Sequence, residues 1–333
     1  MALRDYTSLK GVTHVGDSKM LTILENNLKS FLDWGLLGIG AWFDVDIPTS
    51  GVYGGTFHKL RLVDDPSYTA GQVWETPRKD LVWESGVSYP GGTGVNDPIQ
   101  ISGVYIGGTR SEDFKSFGNT DYPHHINYPL GRVVFDSDVV ASGTVTTTTD
   151  VYMDYSYRWV QTYIAGNAPW WQELQYGSFR VDSEHATQTG SGDWSIGGQH
   201  RVQLPAIVIE AVPRRTSTGY ELGSAKLRVS QDVLFHVLAE TKWERDQIVD
   251  ILTLQNQKTI YLFDVNTLSE SNDYPLDDRG MRVNNSNYPD FVSESGYRYS
   301  RAYFKDSILS QVQSPNPVLR EATVRTTFEI VGL

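Results

Sequence analysis

The stretch VLREATVRTTFEIV, residues 318–331, specifies its local structure more clearly than any other part of the chain. Apolar and polar residues alternate along it, as in a β-strand that lays one face on a hydrophobic core and turns the other to solvent. We expect the apolar side chains to point inward and the polar ones outward. The inward set is Val318, Ala322, Val324, Phe328 and Ile330, and the outward set is Glu321, Thr323, Arg325, Thr327 and Glu329.

The segments before this strand predict a mixed or antiparallel sheet with one helix packed on it. Thr241 and Glu244 form a capping box, in which each side chain satisfies a backbone amide of the other residue. A helix follows to about residue 255. Alternating apolar runs predict strands, so that residues 201–333 have the order β-β-α-β-β-β. These strands cover 202–212, 227–237, 259–265, 298–309 and 318–331.

The N-terminal part of the chain predicts an amphipathic helix followed by a strand. Apolar residues recur at helical spacing from Met20 to Leu32, and Gly35 and Gly38 end the pattern. The segment 39–47 then predicts a buried strand. We expect this helix to pack on the C-terminal sheet.

Residues 51–200 are rich in turn residues and predict an all-β middle region. Within it, residues 151–164 predict one continuous strand. The chain is therefore predicted to be α+β and mainly β, in three parts: 1–50, 51–200 and 201–333. The expected core residues are Phe31, Trp42, Phe235, Ile248, Ile251, Phe263 and Phe328.

Composition and charge exclude several classes of function. The formal net charge is −12, which argues against a protein that holds nucleic acid through counterion release. The chain has no cysteine, so disulfides and thiolate metal sites are absent. No signal peptide is recognisable, and the longest apolar run, at 34–43, is about half the ~20 residues that a membrane helix needs. We therefore expect use in a cytoplasm, with no membrane partner.

The stretch DYPHHINYPLGRVVFDSD, residues 121–138, carries two adjacent histidines that suggest a metal or catalytic site. Neighbouring side chains on an extended backbone point in opposite directions, so His124 and His125 are poorly placed to share one metal. We favour a solvated loop over residues 121–125, followed by a turn at Pro129 and Gly131 and a strand in which Val133 and Phe135 alternate with Val134 and Asp136. The histidines then remain candidates for contact with a neighbouring protein.

Two other groups of residues suggest chemistry. Asp44 and Asp46 share a strand face and resemble a carboxylate pair, although such pairs are common on the solvent side of a strand. Trp170 and Trp171, with Trp74 and Trp83, suggest a platform for sugar stacking, although such rings more often fill cores and subunit contacts. No residue is predicted to be catalytic, to bind a cofactor or to ligate a metal.

An ordered set of stretches resembles virion structural proteins of contractile-tailed bacteriophages, particularly those of marine cyanobacteria. The set is LKSFLDWGLLGIGAWFDV (28–45), SGVYGG (50–55), PSYTAGQVWETPRKDLVWESGV (66–87), INYPLGRVVFD (126–136), MDYSYRW (153–159), HRVQLPAIVIE (200–210), QDVLFHVLAE (231–240) and RDQIVDIL (245–252). The resemblance implies a non-enzymatic protein of the virion without a cofactor. The predicted sheet with one crossing helix is similar in outline to neck and tail-terminator proteins.

These resemblances imply a ring-forming neck, tail-terminator or head–tail connector protein. Its expected partners are copies of itself, with a hexamer as the expected ring, and other tail or neck proteins. DNA would pass through the ring without specific binding. The alternatives are a baseplate or tail-fibre attachment protein of the same virion and, in a different class, a carbohydrate-binding module or glycosidase.

Aromatic residues and histidines in loop-rich surroundings are the predicted contact residues, because aromatic anchors often dominate interfaces. They are Tyr53, Phe57, Trp74, Trp83, His124, His125, Trp170 and Trp171. On this hypothesis, Trp171→Ala weakens assembly and leaves the fold intact.

Overall fold

In the computed structural model of the protein, the described residues are 8–9, 12–13, 17–46, 58–91, 94–107, 113–177, 186–197, 200–219, 221, 227–264, 268, 275–283, 286–293 and 298–331. They divide into two compact units. Unit 1 falls within Met1–Gly35, Val160–Ser271 and Tyr288–Leu333, and unit 2 within Leu36–Trp159 and Asn272–Asn287. None of the helices among these residues is long and apolar enough to cross a bilayer.

The described residues are mainly β, which confirms the predicted α+β class. The helices are α1 (Asp17–Gly38), α2 (Ser137–Ala141), α3 (Pro169–Gly177), α4 (Lys242–Thr253) and α5 (Tyr288–Ser293), with a 3₁₀ turn at Ala165–Asn167. The strands are β1 (Ser8–Leu9), β2 (Val12–Thr13), β3 (Trp42–Val45), β4 (Arg61–Leu62), β5 (Val73–Glu75), β6 (Tyr89–Gly91), β7 (Gly94–Asn96), β8 (Gly103–Ile106), β9 (Phe114–Ser116), β10 (His124–Asn127), β11 (Arg132–Phe135), β12 (Val151–Tyr152), β13 (Tyr155–Arg158), β14 (Gln161–Ile164), β15 (Ala186–Gly190), β16 (Asp193–Ile196), β17 (His200–Gln203), β18 (Ala206–Gly219), β19 (Leu227–Ala239), β20 (Thr259–Phe263), β21 (Arg298–Asn316) and β22 (Leu319–Val331).

Unit 1 is built on a six-stranded mixed sheet in the order β14-β18-β19-β22-β21-β20. The β14–β18 pair is parallel and the others are antiparallel. The predicted order β-β-α-β-β-β corresponds to β18, β19, α4, β20, β21 and β22, with α5 added before β21. The stretch 318–331 forms β22, which lies inside the sheet between β19 and β21.

The alternation along β22 is only partly as predicted. Ala322, Val324, Phe328 and Ile330 are buried, but Val318 is 48% exposed because it lies in the turn before the strand. Leu319 is buried in its place.

The expected solvent face of β22 is also wrong in part, because other elements cover it. Glu321 and Thr323 are buried close to His236, and Glu329 is enclosed by ion pairs with Arg228 and Lys305.

The two long helices of unit 1 contact this sheet. The capping box at Thr241 and Glu244 is confirmed, and α4 packs on β19, β21 and β22. In α1, the Asn27 side-chain amide donates to the Phe263 carbonyl at 2.7 Å and accepts from the Phe263 amide at 2.9 Å. Phe31 packs against Phe304, whose ring contacts Phe328. The N-terminal helix thus contacts the C-terminal sheet on the face that carries Phe328.

The opposite face of the sheet is covered at one end by α3 and the β15-β16-β17 meander. Their shared core contains Trp170, Trp171 and Trp194 together with Leu238 and Leu319 of the sheet. This region was predicted to belong to the 51–200 middle part, whereas residues 160–200 fall in unit 1.

Unit 2 consists of small sheets around a separate core. Their strand orders are β10-β11-β5-β4, β12-β8-β9, β13-β3 and β6-β7. The core includes Trp74, Leu81, Ile126, Phe135 and Tyr155. The many short strands agree with the turn-rich pattern of the sequence.

Two predicted strands have different extents in the structure. Residues 151–164 form three strands, β12, β13 and β14, which belong to three different sheets. The predicted buried strand at 39–47 is the four-residue β3, in which Phe43 is 49% exposed. The sequence therefore overestimates both the length of the first run and the burial of the second.

Candidate functional site

Burial removes several of the predicted contact residues from consideration as surface anchors. Trp74, Trp170 and Trp171 are 3%, 5% and 3% exposed and lie in hydrophobic cores. They are therefore core residues, and an open sugar-stacking platform built from Trp170 and Trp171 is excluded. Tyr53 and Phe57 lie outside the described residues.

The two adjacent histidines belong to a strand, so the predicted loop through His125 is wrong. His124 is buried, with its ring 5.4 Å from that of Phe117 and 5.6 Å from that of Phe135. His125 is half-buried on the opposite strand face, as the sequence predicted. Burial lowers the pKa of both histidines, with the positive charge of Arg279 adding to the effect at His125. Trp83 is also half-buried, and a contact role for Trp83 and His125 stays a prediction.

The carboxylate pair shows the features of a solvent-facing strand. Asp44 and Asp46 are exposed, and Asp44 accepts a hydrogen bond from the Ser156 hydroxyl. Among the described residues, no group of three or more His, Asp or Glu is placed to hold a metal ion.

The longest hairpin of unit 1 has an outer edge that is largely uncovered. Strand β20 pairs with β21 only between Arg298 and Tyr303. From Lys305 to Asn316, β21 has no outer partner strand among the described residues, while its inner edge pairs with β22. This leaves a run of backbone donors and acceptors available to another chain.

Large apolar side chains are exposed on the same part of the hairpin. Ile308 is 55% exposed, Leu309 45%, Val312 51% and Val318 48%. We call these four residues the hairpin patch; Ile308 and Leu309 are consecutive on β21 and therefore lie on opposite faces of the strand. The segment from Ser307 to Gln313 contains no charged residue, so the patch lacks the charges that commonly protect an edge strand.

Charged residues lie along the hairpin: Arg325 is opposite Ile308, and Arg320, next to the turn, donates to Ser314. Lys305 and Arg228 pair with Glu329, and Arg325 pairs with Asp232. The sequence suggested only part of this surface, because the strand was predicted to end at residue 309. The alternation beyond Leu309 is irregular, since the register of β21 shifts between Leu309 and Gln311.

A second polar cluster centres on the buried side chain of His236 in β19. Its Nε2 lies 3.0 Å from Glu210 Oε2, and its Nδ1 lies 3.8 Å from Glu321 Oε1 and 3.3 Å from Thr323 Oγ1. The Trp171 ring packs against it, tilted by 42°, at 4.5 Å between centroids. Gln313 donates to the other oxygen of Glu321 at 2.7 Å.

The charge of His236 is stabilised by its neighbours. Burial by itself lowers the pKa of His236, but the hydrogen bonds and charges of Glu210 and Glu321 together outweigh burial and raise it. The hydrogen bond from His236 lowers the pKa of Glu210, against the effect of burial. The imidazolium form therefore stabilises the contact between β18, β19 and β22.

This cluster predicts a pH dependence of stability. Because the pKa of His236 is raised on folding, its contribution is complete below the unfolded pKa of about 6.5 and is lost as pH rises through the folded pKa. We expect His236→Gln to cost about 1 kcal/mol at pH 6, a modest value because Glu210 is partly screened by solvent. The cost should shrink at higher pH. Urea denaturation of both proteins from pH 6 to 9 measures it, and a constant difference would contradict an imidazolium at this position.

Fold and site together define a class of protein: an α+β, mainly β chain of two units, with an exposed apolar hairpin in its six-stranded sheet. No protein-family model matches the chain, and no curated protein matches it. Its function is therefore inferred from its residues and their arrangement.

Proposed function

We propose that the chain is a non-enzymatic structural protein of a contractile-tailed bacteriophage virion, which joins copies of itself into a ring at the neck or tail end. The sequence stretches that resemble such proteins support the virion class. The single observation that carries assembly is the hairpin patch, where Ile308, Leu309, Val312 and Val318 are each at least 45% exposed. Apolar side chains exposed on both faces of an uncovered edge strand suit a contact in which a neighbouring chain pairs with that strand.

The geometry of β21 supports a contact through both side chains and backbone. From Lys305 onward its outer edge has no partner strand among the described residues, and an added strand or loop of a neighbour can pair with its backbone donors and acceptors. Backbone pairing of this kind supplies affinity, while Leu309 and Val312 supply apolar area. The edge and the patch would therefore form one continuous contact surface.

The proposed occupant is a second copy of this chain, and charge limits where two copies can meet. Each copy carries a formal net charge of −12, so most surfaces of two copies repel one another. The uncharged segment from Ser307 to Gln313 allows approach without opposing carboxylates. If the patch contacts a different surface on the next copy, the arrangement is head-to-tail and forms a ring where the rotation between copies closes; a hexamer is the proposed number.

An acidic ring would suit the passage of DNA. Like charges repel, so a lumen lined with carboxylates lets the duplex move through without specific binding. The proposed partners are therefore copies of the chain, neighbouring tail or neck proteins and, in transit, DNA.

A charge placed in the hairpin patch should weaken assembly. We expect Val312→Glu to shift the protein to lower mass, because burying a carboxylate in an apolar contact costs at least about 2 kcal/mol, or roughly thirtyfold in association. Val283→Glu is the matched control, since Val283 is 53% exposed and lies outside the patch. Sedimentation velocity over a range of concentrations measures the mass of each variant.

Two results would overturn self-assembly through the patch. One is a wild-type protein that stays monomeric at every concentration tested. The other is a Val312→Glu protein whose mass distribution equals that of wild type. Equal losses of mass for Val312→Glu and Val283→Glu would also argue against the patch, because the effect would then follow from added charge alone.

The position in the virion needs a separate experiment. Antibodies against the chain, applied to purified phage particles whose genome encodes it, should label the neck or tail end in electron micrographs. Label at the baseplate would instead favour the alternative of a baseplate or tail-fibre attachment protein. Absence of the chain from purified particles would overturn the virion assignment.

A further inference from the structure

A cavity of ≈ 300 Å³ lies over the outward face of the β10–β11 hairpin in unit 2. The register places His125 opposite Val134 and Asn127 opposite Arg132, so these four side chains share one face of the hairpin. Tyr68, Leu130 and residues 278–279 complete the lining. The cavity is separate in sequence from the hairpin patch and is not used by the proposed assembly.

The wall that carries Tyr68 is fixed by Asp65. The Tyr68 amide donates to the Asp65 carbonyl, and the Ser67 amide donates to Asp65 Oδ1, each at 3.0 Å. Asp65 Oδ2 accepts from Arg132 Nη1 at 3.1 Å, which joins this turn to β11. The Tyr68 ring is 42% exposed and therefore remains accessible beside the cavity.

The opposite wall is a turn that packs directly on β10. Asp277 Oδ1 accepts from the amides of Arg279 and Met281 at 2.9 Å each. Gly280 has a φ of 75°, and a Cβ there would lie 2.7 Å from Asn127 Oδ1. Only glycine allows this close approach, which places Asp278 and Arg279 at the edge of the cavity. Both walls are thus formed before any ligand arrives.

The charges around the cavity do not suit an anion. Four carboxylates surround two guanidinium groups, and the guanidinium groups are already paired: Arg132 donates to Asp65 and Glu75, and Arg279 donates to Asp277. Asp278 is the fourth carboxylate. A phosphate or a carboxylate ligand would meet a net negative surrounding, so a neutral ligand is favoured.

The remaining polar groups offer both donors and acceptors. His125 is held neutral, because burial and Arg279 lower its pKa, and a neutral imidazole has one donor and one acceptor nitrogen. Asn127 Oδ1 accepts from the Leu130 backbone amide at 3.0 Å. The side-chain NH2 group of Asn127 is not used in that hydrogen bond and supplies donors. The exposed Asp278 carboxylate adds acceptors. Vicinal hydroxyl groups need this combination, since each hydroxyl both donates and accepts.

We propose that this cavity binds a neutral saccharide, with one sugar ring against the Tyr68 ring and its hydroxyls hydrogen-bonded to His125, Asn127 and Asp278. An aromatic face provides apolar contact for the C–H groups of a pyranose, and planar polar side chains fix its orientation. The volume of ≈ 300 Å³ suits a single ring. The site differs from the tryptophan platform that the sequence suggested.

Saturation-transfer difference NMR on the full chain tests this site. The probes are the methyl glycosides of glucose, galactose, mannose, fucose and rhamnose, together with N-acetylglucosamine. We expect transfer to the ring protons of at least one sugar, with a millimolar dissociation constant. Tyr68→Ala and Asp278→Ala should each weaken binding at least tenfold. Tyr89→Ala is the matched control, because Tyr89 is 40% exposed in the same unit and does not line the cavity.

Several results would overturn the proposal. Absence of transfer to every sugar in the panel is one, and sugar binding that survives Tyr68→Ala and Asp278→Ala is another. Inorganic phosphate and adenosine serve as competitors, and preference for either would identify an anion or a base site instead. Thermal unfolding of the variants shows that they remain folded, and both substitutions are at exposed positions. The result is independent of assembly, since Val312→Glu should bind the sugar as wild type does.

Discussion

Trp171→Ala is expected to lower the free energy of unfolding by about 3–5 kcal/mol, as for other large aromatic side chains removed from a core. Trp171 is 3% exposed and packs at 4.5 Å from the His236 ring and 6.2 Å from the Trp170 ring. Its removal leaves a cavity between α3 and the sheet and takes away the aromatic face on which His236 rests. Urea denaturation followed by circular dichroism measures the loss. The buried position of Trp171 thus argues against the sequence-based expectation that this variant weakens assembly without affecting the folded structure.

Trp243→Ala provides the matched control, since it makes the same substitution at a site that is 69% exposed. We expect it to change the free energy of unfolding by no more than about 0.5 kcal/mol, which is usual for surface positions. Equal effects of the two substitutions would contradict the assignment of Trp171 to the core. Both tryptophans occupy the first turn of a helix. Comparing the two variants therefore separates the effect of lost packing from any effect of the substitution on helix formation.

The sheet of unit 1 was predictable from patterns that are local in the sequence. The errors in the predicted burial of its residues arise from the elements that pack over it. Period-two alternation located β22 and β19, and the capping box located α4. The pattern assumed that one face of β22 is open to solvent. In the structure, Glu321 is buried beside His236 and Trp171, because a helix almost 150 residues earlier in the chain packs there. A contact between residues so distant in sequence does not alter the apolar–polar alternation of β22, so the alternation could not predict it.

The tryptophan pair shows a similar limit. Pro169, Trp170 and Trp171 begin α3, and proline is common in the first helical turn. The spacing of Trp170, Trp171 and Leu174 matches one face of a helix, so the helix was detectable. Its burial was not, because the meander and the sheet that enclose it come later in the chain.

The candidate sites were less predictable than the fold. The hairpin patch depends on which part of β21 is left uncovered by β20, and strand pairing decides this rather than composition. The cavity gathers Tyr68, His125 and Asp278 from three distant segments. The two adjacent histidines suggested a metal or catalytic site from the sequence, and His125 does line the cavity. His124, in contrast, belongs to the core of unit 2.

The second large expected loss of stability comes from removing the buried ion pair between Arg158 and Glu84 in unit 2. Arg158 lies in β13 and donates from Nη2 to Glu84 Oε1, and its Nε lies 3.4 Å from Asp80 Oδ1. The side chains of Arg158 and Glu84 are each 4% exposed. We expect Arg158→Met to cost about 3–5 kcal/mol, because it leaves the Glu84 carboxylate buried without this counter-charge. Urea denaturation followed by circular dichroism measures the loss.

A double variant distinguishes the lost ion pair from lost packing. Arg158→Met combined with Glu84→Leu removes both charges and keeps most of the volume, so most of the stability should return. Lys59→Met is the matched control for a surface pair, since Lys59 and Asp150 are 48% and 52% exposed. It should cost less than about 1 kcal/mol. If the double variant is as unstable as Arg158→Met, the loss comes from packing around the guanidinium, and the uncompensated charge of Glu84 is not its cause.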